Sequence, residues 1–236
     1  MKLETFELGK GEPLLFLAGA NATFEYYQPF LKLLSKKFKV YFFNYPGLGK
    51  SEKFKGGYSL IKYLNLIDRF ITERKLDNFH LVGASFGGFL AIKYASQRKD
   101  VIKSLILFSP LTKLFTQSKI GNALRIAKTN SQKMRKRYKP LILSVFRPGN
   151  SRNFFEKLQH SDFVLSCSLE EIDFAEDVPT LLIVGGKDLI VDSQYTHSLF
   201  TGRKNCKIIY FKSEGHDAFA TVGDKILSII EEFINK

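Results

Sequence analysis

Ser85, Asp188 and His216 have the types and the chain order of a serine nucleophile with an activating base and an acid behind it. A serine hydroxyl is a poor nucleophile near neutral pH. Covalent chemistry on it needs an imidazole to take its proton and a carboxylate to orient the ring. Ser85 stands in Gly83-Ala84-Ser85-Phe86-Gly87, directly after an apolar run and before a helical pattern. The five-residue pattern alone is weak, since composition produces it in about one chain in twelve of this length. Its setting carries the weight. A serine on a sharp strand-to-helix turn is held in strained backbone geometry, at a helix amino terminus that favours developing negative charge. Asp188, in Val184-Gly-Gly-Lys-Asp-Leu-Ile-Val191, and His216, in Ser213-Glu-Gly-His-Asp-Ala-Phe219, each follow a further apolar run.

Other residues compete for these roles. Asp192, Glu214 and Asp217 are acids near Asp188 or His216, and each also reads as a loop charge or a helix cap. His80 begins an apolar run and reads as structural, while His160 and His197 are expected to be exposed. Asn21 either lines a pocket or caps a helix starting at Ala22, and the cap is the favoured reading. Cys167 and Cys206 are far apart and lack metal-ligand neighbours, so neither a disulfide framework nor a zinc site is expected. The chemistry of a serine with His and Asp requires no cofactor.

These residues must be positioned by strands and helices in alternation. Short apolar runs at 14–18, 39–44, 79–84, 104–108, 180–184 and 207–211 read as strands. Amphipathic stretches at 22–36, 58–75, 86–96 and 222–234 read as helices, with Leu60, Ile61, Leu64, Ile67, Phe70 and Ile71 on one buried face. That alternation predicts an α/β fold with a mostly parallel sheet flanked by helices. It stops between Pro110 and Pro179. The chain therefore divides into a core of 1–110 and 180–236 and a helical cap insertion at 111–179.

Formal net charge is +13, from 36 Lys and Arg against 23 Asp and Glu. Part of this is a general Lys-rich bias, but 111–139 is different: nine basic residues from Lys113 to Lys139 and no acidic one. Either this is a solvated helix face or it is a landing patch for an anionic substrate, an acidic carrier protein or an anionic membrane surface. No nucleic-acid module accompanies it, which weighs against nucleic acid as a partner. The amino terminus lacks the apolar run of a secretory signal, and no stretch approaches the length of a transmembrane segment, so a cytoplasmic location is expected.

With these motifs in view, the chain resembles the α/β-hydrolase superfamily over nearly all its length, most closely its capped, serine-esterase-like members. The resemblance also covers Tyr45-Pro-Gly-Leu-Gly-Lys-Ser51 and Asp177-Val-Pro-Thr-Leu-Leu-Ile-Val-Gly185. It implies the α/β-hydrolase fold with the cap inserted after the sixth strand. Ser85 would be the nucleophile, His216 the general base and Asp188 its orienting acid, with backbone N–H groups of Phe86 and Ala20 forming the oxyanion hole. The second of these lies in Ala18-Gly19-Ala20-Asn21, where such proteins usually have a loop beginning His-Gly. The implied activity is hydrolysis of a small-molecule or acyl-chain carboxylic ester through an acyl-enzyme. A thioesterase acting on carrier-linked or CoA-linked acyl groups, and a ligand-binding protein without turnover, are the alternatives. Serine rather than aspartate at the elbow argues against haloalkane dehalogenase and epoxide hydrolase chemistry.

Overall fold

A computed structural model describes residues 1–114, 153–169 and 177–235. Seven strands form one sheet in the spatial order β1-β3-β2-β4-β5-β6-β7. They are β1 (Thr5–Leu8), β2 (Glu12–Leu17), β3 (Phe38–Phe43), β4 (Phe79–Ala84), β5 (Ile102–Phe108), β6 (Thr180–Gly185) and β7 (Cys206–Phe211). All neighbours pair in parallel except β1, which runs antiparallel to β3 along the edge. The central strands β4 and β6 are buried at every residue, which is why they read as continuous apolar runs rather than as an alternation. β1 is an addition to the sequence reading. It is only four residues long and alternates weakly, so periodicity gave no clear sign of it.

The helices in the core are α1 (Phe24–Leu34), α2 (Leu60–Glu73), α3 (Phe86–Ala95), α5 (Ser193–Phe200) and α6 (Gly223–Ile234), with α4 (Asn153–Ser166) preceding β6. α1 packs against α6, and α2 against α3. In α2 the expected apolar face is present with one correction: Ile61 is 69% exposed, and Tyr63 is buried with Leu64, Ile67, Phe70 and Ile71. Residue 61 lies roughly 200° round the helix from 63, so the two cannot both face the core.

The start of α1 also departs from the local rule. The helix begins at Phe24, and Thr23 at the cap position makes no side-chain bond to it. The Phe24 N–H is instead taken by Asn44 Oδ1 at 2.8 Å, twenty residues away. Asn44 is oriented in turn by Glu4, whose Oε2 accepts from its Nδ2 at 2.8 Å. Asn21 therefore is not the cap.

The interval expected to form the cap lies between β5 and β6, after the fifth of these seven strands rather than the sixth. Its central part falls outside the described residues, but its stems are fixed. The Leu169 N–H bonds to the Thr112 carbonyl at 2.8 Å, Asp192 N–H to the Lys113 carbonyl at 2.9 Å, and Leu114 bridges to Val191. No helix among the described residues is long and apolar enough to cross a membrane.

Candidate active site

Parallel pairing puts the carboxyl ends of β2, β4, β6 and β7 on one edge of the sheet. Ala20, Ser85, Phe86, Asp188 and His216 each follow one of those ends. Ser85 is the single residue between β4 and α3, with φ 53° and ψ −116°. That is left-handed backbone, costly for a residue with a Cβ, and it is held by three backbone hydrogen bonds. The Ser85 N–H donates to the Phe108 carbonyl at 2.9 Å, and its own carbonyl accepts from Phe89 at 3.1 Å and Leu111 at 2.8 Å. The flanking glycines permit this turn sterically. A Cβ on Gly83 would lie 2.5 Å from the Gly87 carbonyl oxygen, and one on Gly87 would run into the carbonyl oxygens of Leu17 and Ala18.

Asp188 is buried in the loop after β6. Its Oδ1 accepts from the Ile190 N–H at 2.8 Å and the Val191 N–H at 3.0 Å, and its Oδ2 lies 2.7 Å from His216 Nδ1. A carboxylate only accepts, so the imidazole must carry its proton on Nδ1, and Nε2 is left as the basic nitrogen. Burial disfavours charge on this ring. The Asp188 carboxylate facing and bonding it, with Asp217 beyond, outweighs burial and raises His216 to about 9.

β7 is three strands from β4, so the loop carrying His216 must return across the sheet edge. Phe219 marks that return. Its ring lies 6.0 Å from Phe108 at the end of β5, and 5.2 and 5.5 Å from Tyr27 and Phe30 of α1. The structure thus joins Asp188 to His216 directly. Among the described residues the Ser85 hydroxyl makes no hydrogen bond.

The altered loop Ala18-Gly19-Ala20-Asn21 is held from outside by side chains. Tyr45 Oη donates to the Ala18 carbonyl at 3.0 Å, and the Gly19 N–H donates to Tyr27 Oη at 2.9 Å. A Cβ on Gly19 would be 3.4 Å from Ser85 Cβ, so this backbone abuts the serine. Phe86 opens α3, where the first turn leaves N–H groups without helical partners. Among the described residues, neither the Ala20 nor the Phe86 N–H is taken by another backbone group. From the sequence, Tyr45 is marked only as the first residue of the Tyr45–Ser51 stretch and Tyr27 is not marked at all.

Two of the competing acids, and His80, are otherwise engaged. Asp192 caps α5, accepting from the Tyr195 N–H at 3.0 Å, and Glu214 is bonded by Ser213 and Thr221. His80 is buried at the opposite end of the sheet between Ser104 and Glu12, each 2.8 Å away. Two expectations of exposure fail. His197 is half-buried beside Tyr210, and His160, on α4, is 1% exposed. Of the basic stretch, Lys113 alone is described, with its ammonium 5.0 Å from the Tyr195 ring centre; the rest lies outside the described residues.

Comparison with known proteins agrees with this layout. The AB hydrolase superfamily protein YisY of Bacillus subtilis (strain 168) is 27% identical to the chain, over 97% of this chain and 94% of that protein. Monoacylglycerol lipase abhd6-B of Xenopus laevis is 23% identical, over 96% of this chain and 76% of the lipase. The structure of an esterase from Exiguobacterium antarcticum superposes with a TM-score of 0.78 at 22% identity, covering 99% of this chain and 96% of the esterase. The alpha/beta hydrolase fold family profile matches residues 12–141, across the elbow and its two flanking strands. By that match and by its sheet, the chain belongs to the alpha/beta hydrolase fold family.

Proposed function

We propose that this chain is a serine esterase that cleaves carboxylic esters of small or acyl-chain substrates through an acyl-enzyme on Ser85. The observation that carries the proposal is the Asp188–His216 pair: with Nδ1 engaged at 2.7 Å, Nε2 is the nitrogen available to a hydroxyl at the same sheet edge. The names of relatives, a monoacylglycerol lipase and an esterase, support ester substrates.

In this mechanism Ser85 Oγ attacks the ester carbonyl carbon while His216 Nε2 takes the hydroxyl proton. The carbonyl oxygen becomes an oxyanion, stabilised by the Ala20 and Phe86 N–H groups and by the amino-terminal end of α3. Collapse of this intermediate breaks the ester C–O bond, and the imidazolium returns its proton to the departing alcohol. Water then attacks the acyl-serine with His216 again as base, releasing the acid and restoring the hydroxyl. Asp188 keeps the ring in the correct tautomer and stabilises the imidazolium.

A fluorophosphonate probe and a p-nitrophenyl ester series test the proposal together. Wild-type protein should be labelled at Ser85 and should turn over, and Ser85→Ala should do neither. Equal hydrolysis by wild type and Ser85→Ala would sink it.

A further inference from the structure

His160 is a buried histidine that the mechanism above does not use. It sits on α4, before β6, yet its Nδ1 lies 2.9 Å from Asn21 Oδ1 in the loop after β2. Its ring packs at 5.5 Å, edge to face, against Phe86, and at 6.4 Å against Tyr45. It therefore touches the residue next to Ala20, the side chain of the other oxyanion donor, and the tyrosine that holds Ala18. From these contacts we infer that His160 is a positioning residue for the oxyanion hole, clamping the loop that presents the Ala20 N–H.

The inference rests on the esterase reading and explains how the loop is fixed without the usual His-Gly. Asn21 has φ 56°, a left-handed conformation that asparagine tolerates. Backbone positions 18 and 19 are fixed by Tyr45 and Tyr27, and the Asn21 side chain is fixed by His160. Ala20 lies between fixed neighbours. An amide oxygen only accepts, so Nδ1 carries the proton and is the donor. Burial pushes the His160 pKa down to about 4, which keeps the ring neutral across the working range. Among the described residues, the His160 Nε2 atom and the Tyr63 hydroxyl are buried without a hydrogen-bond partner. Since α4 belongs to the interval between β5 and β6, this part of that interval then acts on the chemistry.

The test compares wild type with His160→Phe, His160→Asn and Asn21→Gly on a p-nitrophenyl ester, alongside binding of a trifluoromethyl ketone that forms an oxyanion on the serine. His160→Phe keeps the ring packing and removes the bond. His160→Asn puts an amide nitrogen where Nδ1 was, and Asn21→Gly breaks the bond from the other side at a residue whose backbone suits glycine. A loose donor is expected to lower kcat by about 10-fold to 100-fold with KM nearly unchanged. Ketone affinity should fall in parallel, His160→Asn should recover most of both, and the double variant of His160→Phe with Asn21→Gly should lose no more than either single change. Unchanged kcat in folded His160→Phe or Asn21→Gly would overturn the inference while leaving the esterase reading intact. Wild type that neither labels with fluorophosphonate nor turns over would overturn both.

Discussion

His216 Nδ1 and Asp188 Oδ2 are 2.7 Å apart, and the other carboxylate oxygen is occupied by two backbone N–H groups. The acid is thus fixed by the loop after β6 before it meets the histidine. In Asp188→Asn the backbone N–H groups keep claiming the side-chain oxygen, which turns the amide nitrogen toward the ring. The imidazole must then present a bare Nδ1 and carry its proton on Nε2, the wrong tautomer for a base. Steady-state kinetics should show kcat lower by roughly a thousandfold to ten-thousandfold. A circular dichroism melt close to wild type above about pH 9, where the ion pair no longer contributes, would show that the loss is chemical.

The raised pKa of His216 sets the direction of two pH effects. A base must be unprotonated, so kcat/KM should rise with pH along a limb whose midpoint lies above 6.5, toward about 9. A midpoint at or below 6.5 would contradict the electrostatics of the pair. For stability the sign is opposite. A pKa raised on folding means that the imidazolium–carboxylate pair stabilises the fold fully below about 6.5, and this contribution is lost as pH climbs through about 9. Melting temperatures of wild type and His216→Gln should therefore differ most at low pH and converge on the alkaline side.

Tyr27→Phe removes the acceptor for the Gly19 N–H and leaves that buried donor unpaired. The cost should be about 1 to 3 kcal/mol in urea unfolding. Activity should fall as well, because Gly19 abuts Ser85 and adjoins Ala20. Tyr45→Phe releases the Ala18 carbonyl in the same loop and should behave similarly. Loss of stability with full activity in both variants would separate these tyrosines from the oxyanion loop.

Gly87→Ala places a methyl group against the Leu17 and Ala18 carbonyl oxygens, which belong to backbone and cannot swing aside. Overpacking of this kind should cost about 3 kcal/mol. Denaturant titration of the soluble fraction gives the value, and a stability within about 0.5 kcal/mol of wild type would show that β2 and α3 can separate.

The strands and the Ser85, Asp188 and His216 positions were legible because they depend on local pattern: an apolar run, a turn and a polar residue just past it. What escaped is held by distant partners. His160 looked like an exposed residue of an isolated helix, since its surroundings come from residues 21, 45, 58, 63 and 86. Asn21 looked like a cap because the rule for caps is local, whereas α1 is capped by Asn44 across the sheet edge. Tyr27 and Tyr45 are apolar rings with one polar atom each, and nothing in sequence tells which atom meets the loop. β1 escaped for another reason: four edge residues are too few to show a period.

The backbone at Ser85 has one last consequence. At φ 53° and ψ −116° a side chain of any kind is a burden, and glycine is the residue that suits the position. Ser85→Gly should therefore raise the melting temperature, by the equivalent of about 1 kcal/mol or somewhat more, while removing all turnover. At this turn the more stable residue is one without a hydroxyl. On the proposed esterase reading, drift toward higher stability thus acts against the hydroxyl that the chemistry needs.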